Sequence, residues 1–147
     1  MSDNDNFRDN ARPAKLKRGV KQMVADANRE IMTVPVVDAK ALVGQDNVVF
    51  VDLRDPRELE REGKIPGAFH CPRGMLEFWV DPESPYHKPV FASAKRLVFY
   101  CQSGWRSALS TKTVQDMGLE NVAHIGGGFT AWKAEGGPVE AVKAKKE

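Results

Sequence analysis

Cys101 and Arg106 are the residues whose types and spacing best suit covalent chemistry. They lie in the stretch VFYCQSGWRSAL, residues 98–109, with Gln102, Ser103, Gly104 and Trp105 between them. A cysteine thiolate is a nucleophile. An arginine is permanently charged and presents a planar fork of donors to an oxyanion. Gly104 lets the intervening backbone bend and come close to a ligand. A loop curled over 102–106 turns N–H groups inward as an anion-binding nest. A helix expected to start near Arg106 or Ser107 adds unpartnered N–H groups and the positive end of its dipole. These surroundings favour the thiolate. They would equally hold a persulfide, whose charge lies on the outer sulfur. The bland alternative is a buried strand-end cysteine, a common fate for the residue.

The elements around the loop must put the sulfur somewhere useful. RLVFY predicts a strand ending at Tyr100, which places Cys101 at a carboxyl end, where parallel α/β sheets bind ligands. NVVFVDLR predicts a second buried strand ending near Asp52. Asp52 and Arg54 then share that edge of the sheet. Asp52 either orients Arg106 or the loop N–H groups, or forms a structural ion pair. DPRELEREG predicts a helix with Asp55 as N-cap, Pro56 in the first position, Glu58 closing a capping box and Gly63 past the end. Glu58 is a second candidate partner for Arg106.

The remaining pattern continues this alternation. Residues 1–12 are polar and predict a disordered tail. Leu16, Val20, Met23, Val24, Ala27 and Ile31 have helical spacing, so residues 13–33 predict an N-terminal helical extension opening at Pro13. Asp38 is expected to cap a small helix, Ala39 to Val43. KIPGAFHCP predicts a turn at Pro66-Gly67 and a short strand to Cys71. GMLEFWV looks helical, and DPESPYHKPVF reads as an ordered loop. The aromatic-rich segment 74–91 either walls a pocket or simply packs. RSALSTKTVQDMG predicts a helix stopped by Gly118, NVAHI a strand, GGG a turn and FTAWKAEGG a helix carrying a core Trp132. The end, 141–147, is a charged tail. Strands alternating with helices imply a mostly parallel sheet covered on both faces.

Composition narrows the function classes. The 147 residues are 41% hydrophobic and 29% charged, which suits a single soluble domain with its own core. A net charge of +2 is too mild to argue for nucleic acid. No apolar run nears the ~20 residues of a membrane helix, and the first residues hold no apolar signal region. The two cysteines include no CxxC pair, and His70, His87 and His124 form no spaced ligand set, so no metal site is expected. A reduced, cytoplasmic setting is the simplest expectation. Cys71 is either a small core residue or a resolving thiol for Cys101.

Three colinear blocks carry a family resemblance. CQSGWRS resembles the active-site loop of the rhodanese family, Cys-x-x-Gly-x-Arg-Ser. VDLRDPRELEREGKIPGAFHCP resembles its first signature, and NVAHIGGGFTAWKAEGGPVE its last block. Together they span residues 34–140. The resemblance implies a rhodanese-like α/β fold, with a five-stranded, mostly parallel sheet and helices on both faces. It implies a sulfurtransferase that needs no cofactor. A thiosulfate-like small molecule, or a protein persulfide, gives sulfur to Cys101, and cyanide or a thiol accepts it. Arg106 and the backbone of Gln102, Ser103, Gly104 and Trp105 would form the cradle. Lys64 and Cys71 depart from the pattern, which usually has histidine and an aliphatic residue there. Phosphatases and arsenate reductases of this type place five residues between Cys and Arg, against four here, which suits a single sulfur better than a tetrahedral phosphate. A binding module or persulfide carrier without turnover remains the other alternative.

Overall fold

The computed structural model describes residues 14–144; the expected disordered tail at 1–12 lies outside them. In chain order the elements are α1 (Val20–Glu30), β1 (Met32–Val34), α2 (Val36–Lys40), β2 (Val48–Asp52), α3 (Pro56–Glu62), β3 (Phe69–His70), α4 (Leu76–Val80), β4 (Arg96–Tyr100), α5 (Trp105–Met117), β5 (Val122–Ile125) and α6 (Gly128–Ala134). Short 3-10 turns at Arg73–Met75 and Pro89–Ala92 precede α4 and β4. The five strands form one sheet in the order β1-β5-β4-β2-β3, and every pairing is parallel. This is the rhodanese-type α/β fold that the resemblance implied.

Side-chain alternation along each strand builds two cores. On one face Phe50, Val98, Tyr100, Ala123 and Ile125 pack with Val36 and Ala39 of α2 and with Phe129 and Trp132 of α6. On the other, Val51, Leu97, Phe99 and Val122 pack with Leu76 and Val80 of α4 and Val114 of α5. Helix α1 lays Val24 and Ala27 against Ala108 of α5. By the same alternation His124 falls on the α1/α5 face with Val122.

Two helix starts differ from the sequence expectation. The N-terminal helix begins at Val20 rather than Pro13, because the chain enters it through an extended Gly19 at φ −86° and ψ 171°. The second helix begins at Val36 rather than Ala39. Pro35 has the fixed φ of a helix entry, and its carbonyl already accepts from the Asp38 and Ala39 N–H groups. Asp38 is therefore inside the first turn and not its cap. By contrast, α3 has its full capping box: Asp55 accepts from the Arg57 N–H, and the Glu58 carboxylate accepts from the Asp55 N–H.

Candidate active site

The loop after β4 wraps around the Cys101 sulfur, and its neighbours explain why. The Cys101 and Gln102 carbonyls are both drawn outward, accepting from the Phe129 and Thr130 N–H groups at the start of α6, at 2.8 and 3.0 Å. With those carbonyls tied back, later peptide groups face the sulfur. The Gly104 and Ser107 N–H groups donate to Sγ at 3.2 and 3.3 Å. Gly104 holds φ +104°, a left-handed conformation that favours glycine, immediately before α5. The α6 side needs glycine too, since a Cβ on Gly128 would sit 2.6 Å from both the Cys101 and Gln102 carbonyl oxygens. Helix α5 thus starts at Trp105 and points its first turn at the thiol.

The Ser107 hydroxyl completes the ring. Its Oγ lies 3.6 Å from Sγ and 3.3 Å from the Gly104 carbonyl oxygen. It also lies 2.8 Å from Nδ1 of His124. On the far side of the imidazole, Nε2 meets Oδ1 of Asn28 at 3.1 Å and Oγ1 of Thr33 at 3.2 Å. Burial pushes His124 down to about 4, so the ring is neutral near pH 7.

Arg106 is held by Glu58, not by Asp52. Its two terminal nitrogens donate to the two Glu58 oxygens at 2.8 and 2.9 Å. Hydrogen bonding from Arg106 holds the Glu58 carboxyl below the usual range, and Glu58 in turn raises Arg106. Asp52 and Arg54 instead pair with each other. Nε and one terminal nitrogen of Arg54 donate to the two Asp52 oxygens at 3.0 and 2.8 Å, with both side chains fully buried. The Tyr100 hydroxyl donates to Asp52 at 2.7 Å and accepts from the Ile65 N–H. Arg54 also donates to the Gly63 carbonyl at 2.7 Å and to Oε1 of Gln102 at 3.1 Å, and stacks 4.3 Å over the Phe129 ring. The Asp52–Arg54 pair therefore touches the loop through the Gln102 side chain.

The other candidates fall in different places. Gln102 spends its amide on Arg54, Glu62 and Thr130, which leaves its backbone for the loop. Ser103, Gly104 and Trp105 line a cavity of about 220 Å³ together with α1, β1 and the glycine turn after β5. Segment 74–91 does not reach that cavity. It packs on itself and the core: Phe78 meets Tyr86 edge-on, and Trp79 meets Phe69. Trp105 is 45% exposed and stands at the rim of that cavity. Trp132 is fully buried against Phe50. Lys64 bridges to Glu140 through paired backbone hydrogen bonds. Cys71 and Cys101 are both free thiols. Burial pushes Cys71 up to about 12, which keeps it an unreactive thiol at neutral pH. Among the described residues no cluster of His, Cys, Asp or Glu suits a metal ion.

Sequence reasoning missed the contribution of Ser107, His124 and Asn28. A serine after the arginine and a polar residue inside an otherwise apolar strand were the available signals.

The chain belongs to the rhodanese-like family: the model of the rhodanese-like domain matches residues 36–135. Its homologues include single-domain sulfurtransferases. It is 36% identical over 107 residues to the thiosulfate:glutathione sulfurtransferase of Saccharomyces cerevisiae, covering 68% of this chain and 76% of that one. It is 32% identical over 120 residues to the Synechocystis protein slr1261, covering 82% of this chain but only 62% of that protein's length. Among solved structures, a Rhodopseudomonas palustris protein of unknown function, described as a possible tyrosine phosphatase, superposes with a TM-score of 0.86. It is 58% identical, with 88% of this chain and 100% of that one covered.

Proposed function

We propose that the protein is a sulfurtransferase that carries a sulfane sulfur on Cys101. The observation that carries this reading is the pair of N–H groups, from Gly104 and Ser107, aimed at one buried sulfur beside Arg106. In the first half-reaction the Cys101 thiolate attacks the outer sulfur of a thiosulfate-like donor. The donor S–S bond breaks, sulfite leaves with the electron pair, and Cys101 carries –S–S⁻. In the second, cyanide or a thiolate attacks the outer sulfur, and Sγ leaves as thiolate. This is covalent catalysis in two displacements. The loop N–H groups stabilise the negative sulfur in each state. Arg106, at the rim and paired with Glu58, is placed to receive the sulfonate oxygens of the donor. Asp52 and Arg54 act as supporting residues by fixing Gln102 and the edge of the sheet. No organic cofactor enters either step.

The likeness to the yeast thiosulfate:glutathione sulfurtransferase supports thiosulfate as donor and a small thiol as acceptor. A protein persulfide would meet the same sulfur. Two free thiols suit a reducing, cytoplasmic setting. No helix among the described residues is long and apolar enough to cross a membrane. The phosphatase reading rests on the likeness to the Rhodopseudomonas protein described as a possible tyrosine phosphatase. Against it stand the four residues between Cys101 and Arg106, a ring short for a phosphate.

Incubation with thiosulfate followed by intact-mass measurement tests the proposal. One added sulfur atom, removed by cyanide and absent in Cys101→Ser, is expected. An unchanged mass, or sulfur added at Cys71, would overturn it. Hydrolysis of an aryl phosphate through Cys101 without sulfur uptake would establish the phosphatase instead.

A further inference from the structure

His124 is a buried titratable group that the sulfur-transfer steps leave unused, yet it stands one hydroxyl away from the nucleophile. Its Nδ1 lies 2.8 Å from Ser107 Oγ, which lies 3.6 Å from the Cys101 sulfur. Its Nε2 is held by Asn28 of α1 and Thr33 of β1. Asn28, one turn after Val24 on α1, and Thr33 both precede the matched family domain at 36–135. His124 also lines the cavity of about 220 Å³, together with its Nε2 partners Asn28 and Thr33 and with Ser103, Gly104 and Trp105. A buried thiol that must ionise needs a route for its proton, and this chain of polar atoms leads from the sulfur to that cavity.

We propose that His124 is a positioning residue that carries the Cys101 proton, through Ser107, to the cavity beside α1, so that the N-terminal helix completes the active site. The hydrogen-bonding capacities fix the direction. The Asn28 oxygen only accepts, so Nε2 carries the ring proton in the thiol state. Nδ1 is then bare and accepts the Ser107 hydroxyl proton, and Ser107 Oγ accepts the Cys101 S–H. On ionisation the S–H bond breaks and its proton joins Oγ. The original Oγ proton joins Nδ1, and the Nε2 proton passes to water or a buffer base in the cavity. The imidazole ends neutral, as burial requires, with its proton on Nδ1. Ser107 ends with one proton, now directed at the thiolate. Both partners of Nε2 can follow the change: the Thr33 hydroxyl accepts from Nε2–H or donates to bare Nε2, and the Asn28 amide, whose oxygen would repel bare Nε2, turns its NH2 group to it. The N–H donated to Ser107 makes that hydroxyl a stronger donor to the anion.

Among the described residues, no charged side chain hydrogen-bonds this ring. Asn28, Thr33 and Ser107 face it from α1, β1 and α5, and Cys101 is the titratable group reached through Ser107. The nearby acids of α1 are engaged elsewhere, Asp26 with Arg18 and Arg29, and Glu30 with Lys112. Arg106 is turned to Glu58. The inference draws its purpose from the sulfur-transfer reading, which consumes the thiolate, but its test does not need a sulfur donor.

Protein labelled with nitrogen-15 histidine would be titrated by NMR without thiosulfate, while iodoacetamide alkylation of Cys101 is followed in the same samples. His124 is expected to change from the Nε2–H to the Nδ1–H tautomer as Cys101 becomes reactive, and to show no change in Cys101→Ala. His124→Gln should move the alkylation profile towards alkaline pH, slowing Cys101 about tenfold below the midpoint. Ser107→Ala should erase the effect of His124→Gln, since the ring acts through that hydroxyl. Asn28→Ala, at a solvent-exposed residue, should give a smaller shift in the same direction and serves if His124→Gln does not fold. A single tautomer throughout the titration, or variant profiles that overlay the parent's, would overturn the relay. Failure of thiosulfate to load Cys101 would overturn the sulfur-transfer reading and leave these measurements standing.

Discussion

Two arginines at the same edge of the sheet each bind a carboxylate through two hydrogen bonds, yet they have different work. Arg54 and Asp52 are sealed, each with no exposed side-chain surface, and Tyr100, Gly63 and Gln102 supply further hydrogen bonds to the pair. Arg106 is 40% exposed at the side chain, and Glu58 is 16% exposed. A sealed pair has been taken out of water and cannot release either charge without leaving the other stranded. A rim pair costs little to open and can exchange its partner for an incoming anion. The sealed pair is tied to the loop through Gln102, and the rim pair is the one that the proposed sulfur transfer assigns to the donor.

The largest expected effect comes from breaking the sealed pair. Arg54→Leu would leave the Asp52 carboxylate buried without its countercharge, and urea unfolding should show a loss of about 3–5 kcal/mol. A loss no larger than that of a surface ion pair would end the distinction. Next, Arg106→Leu should change stability by less than about 1 kcal/mol. The same variant should raise the KM for thiosulfate about tenfold or more, equivalent to at least about 1.4 kcal/mol of lost donor recognition. Equal effects on folding and on KM would make the rim pair structural as well.

The smallest effect sharpens the contrast. Glu58→Gln keeps a side chain able to close the capping box but releases Arg106. A severalfold lower KM for thiosulfate is expected, since the donor need not displace a carboxylate. The sign of its pH dependence follows from the lowered Glu58 value. The pair's contribution to stability is present above the ordinary glutamate range and is lost as pH falls through the lowered folded value. Thermal melts through that acid window should therefore fall less steeply in Glu58→Gln than in the parent. Added salt should shrink the difference, because this pair is open to screening.

Much of this architecture is readable along the chain because it is local. The α3 capping box lies within four consecutive residues, Asp55 to Glu58, and the Pro66-Gly67 turn is equally compact. The strands announce themselves through apolar runs such as RLVFY. What is not readable depends on neighbours in competition. Pro35 and Asp38 both signal a helix start, and the proline's fixed φ decided it at Val36. The helix expected to open at Pro13 starts instead at Val20, after an extended Gly19. Asp52 and Glu58 were both candidates for Arg106, and no spacing rule ranks partners that lie 48 or more residues away.

By itself, the sequence determined the candidate loop: a cysteine at a strand end, four residues, an arginine, and a glycine where the chain must turn left-handed. Those properties follow from short-range sterics and hydrogen-bonding capacity, which neighbouring residues carry with them. Only the tertiary structure decided which groups meet that loop. The β1-β5-β4-β2-β3 order sets α6 against the Cys101 and Gln102 carbonyls and brings α3 and Glu58 to Arg106. Strand alternation turns His124 towards Ser107 and Asn28. These encounters are fixed by sheet register and helix packing over the whole chain.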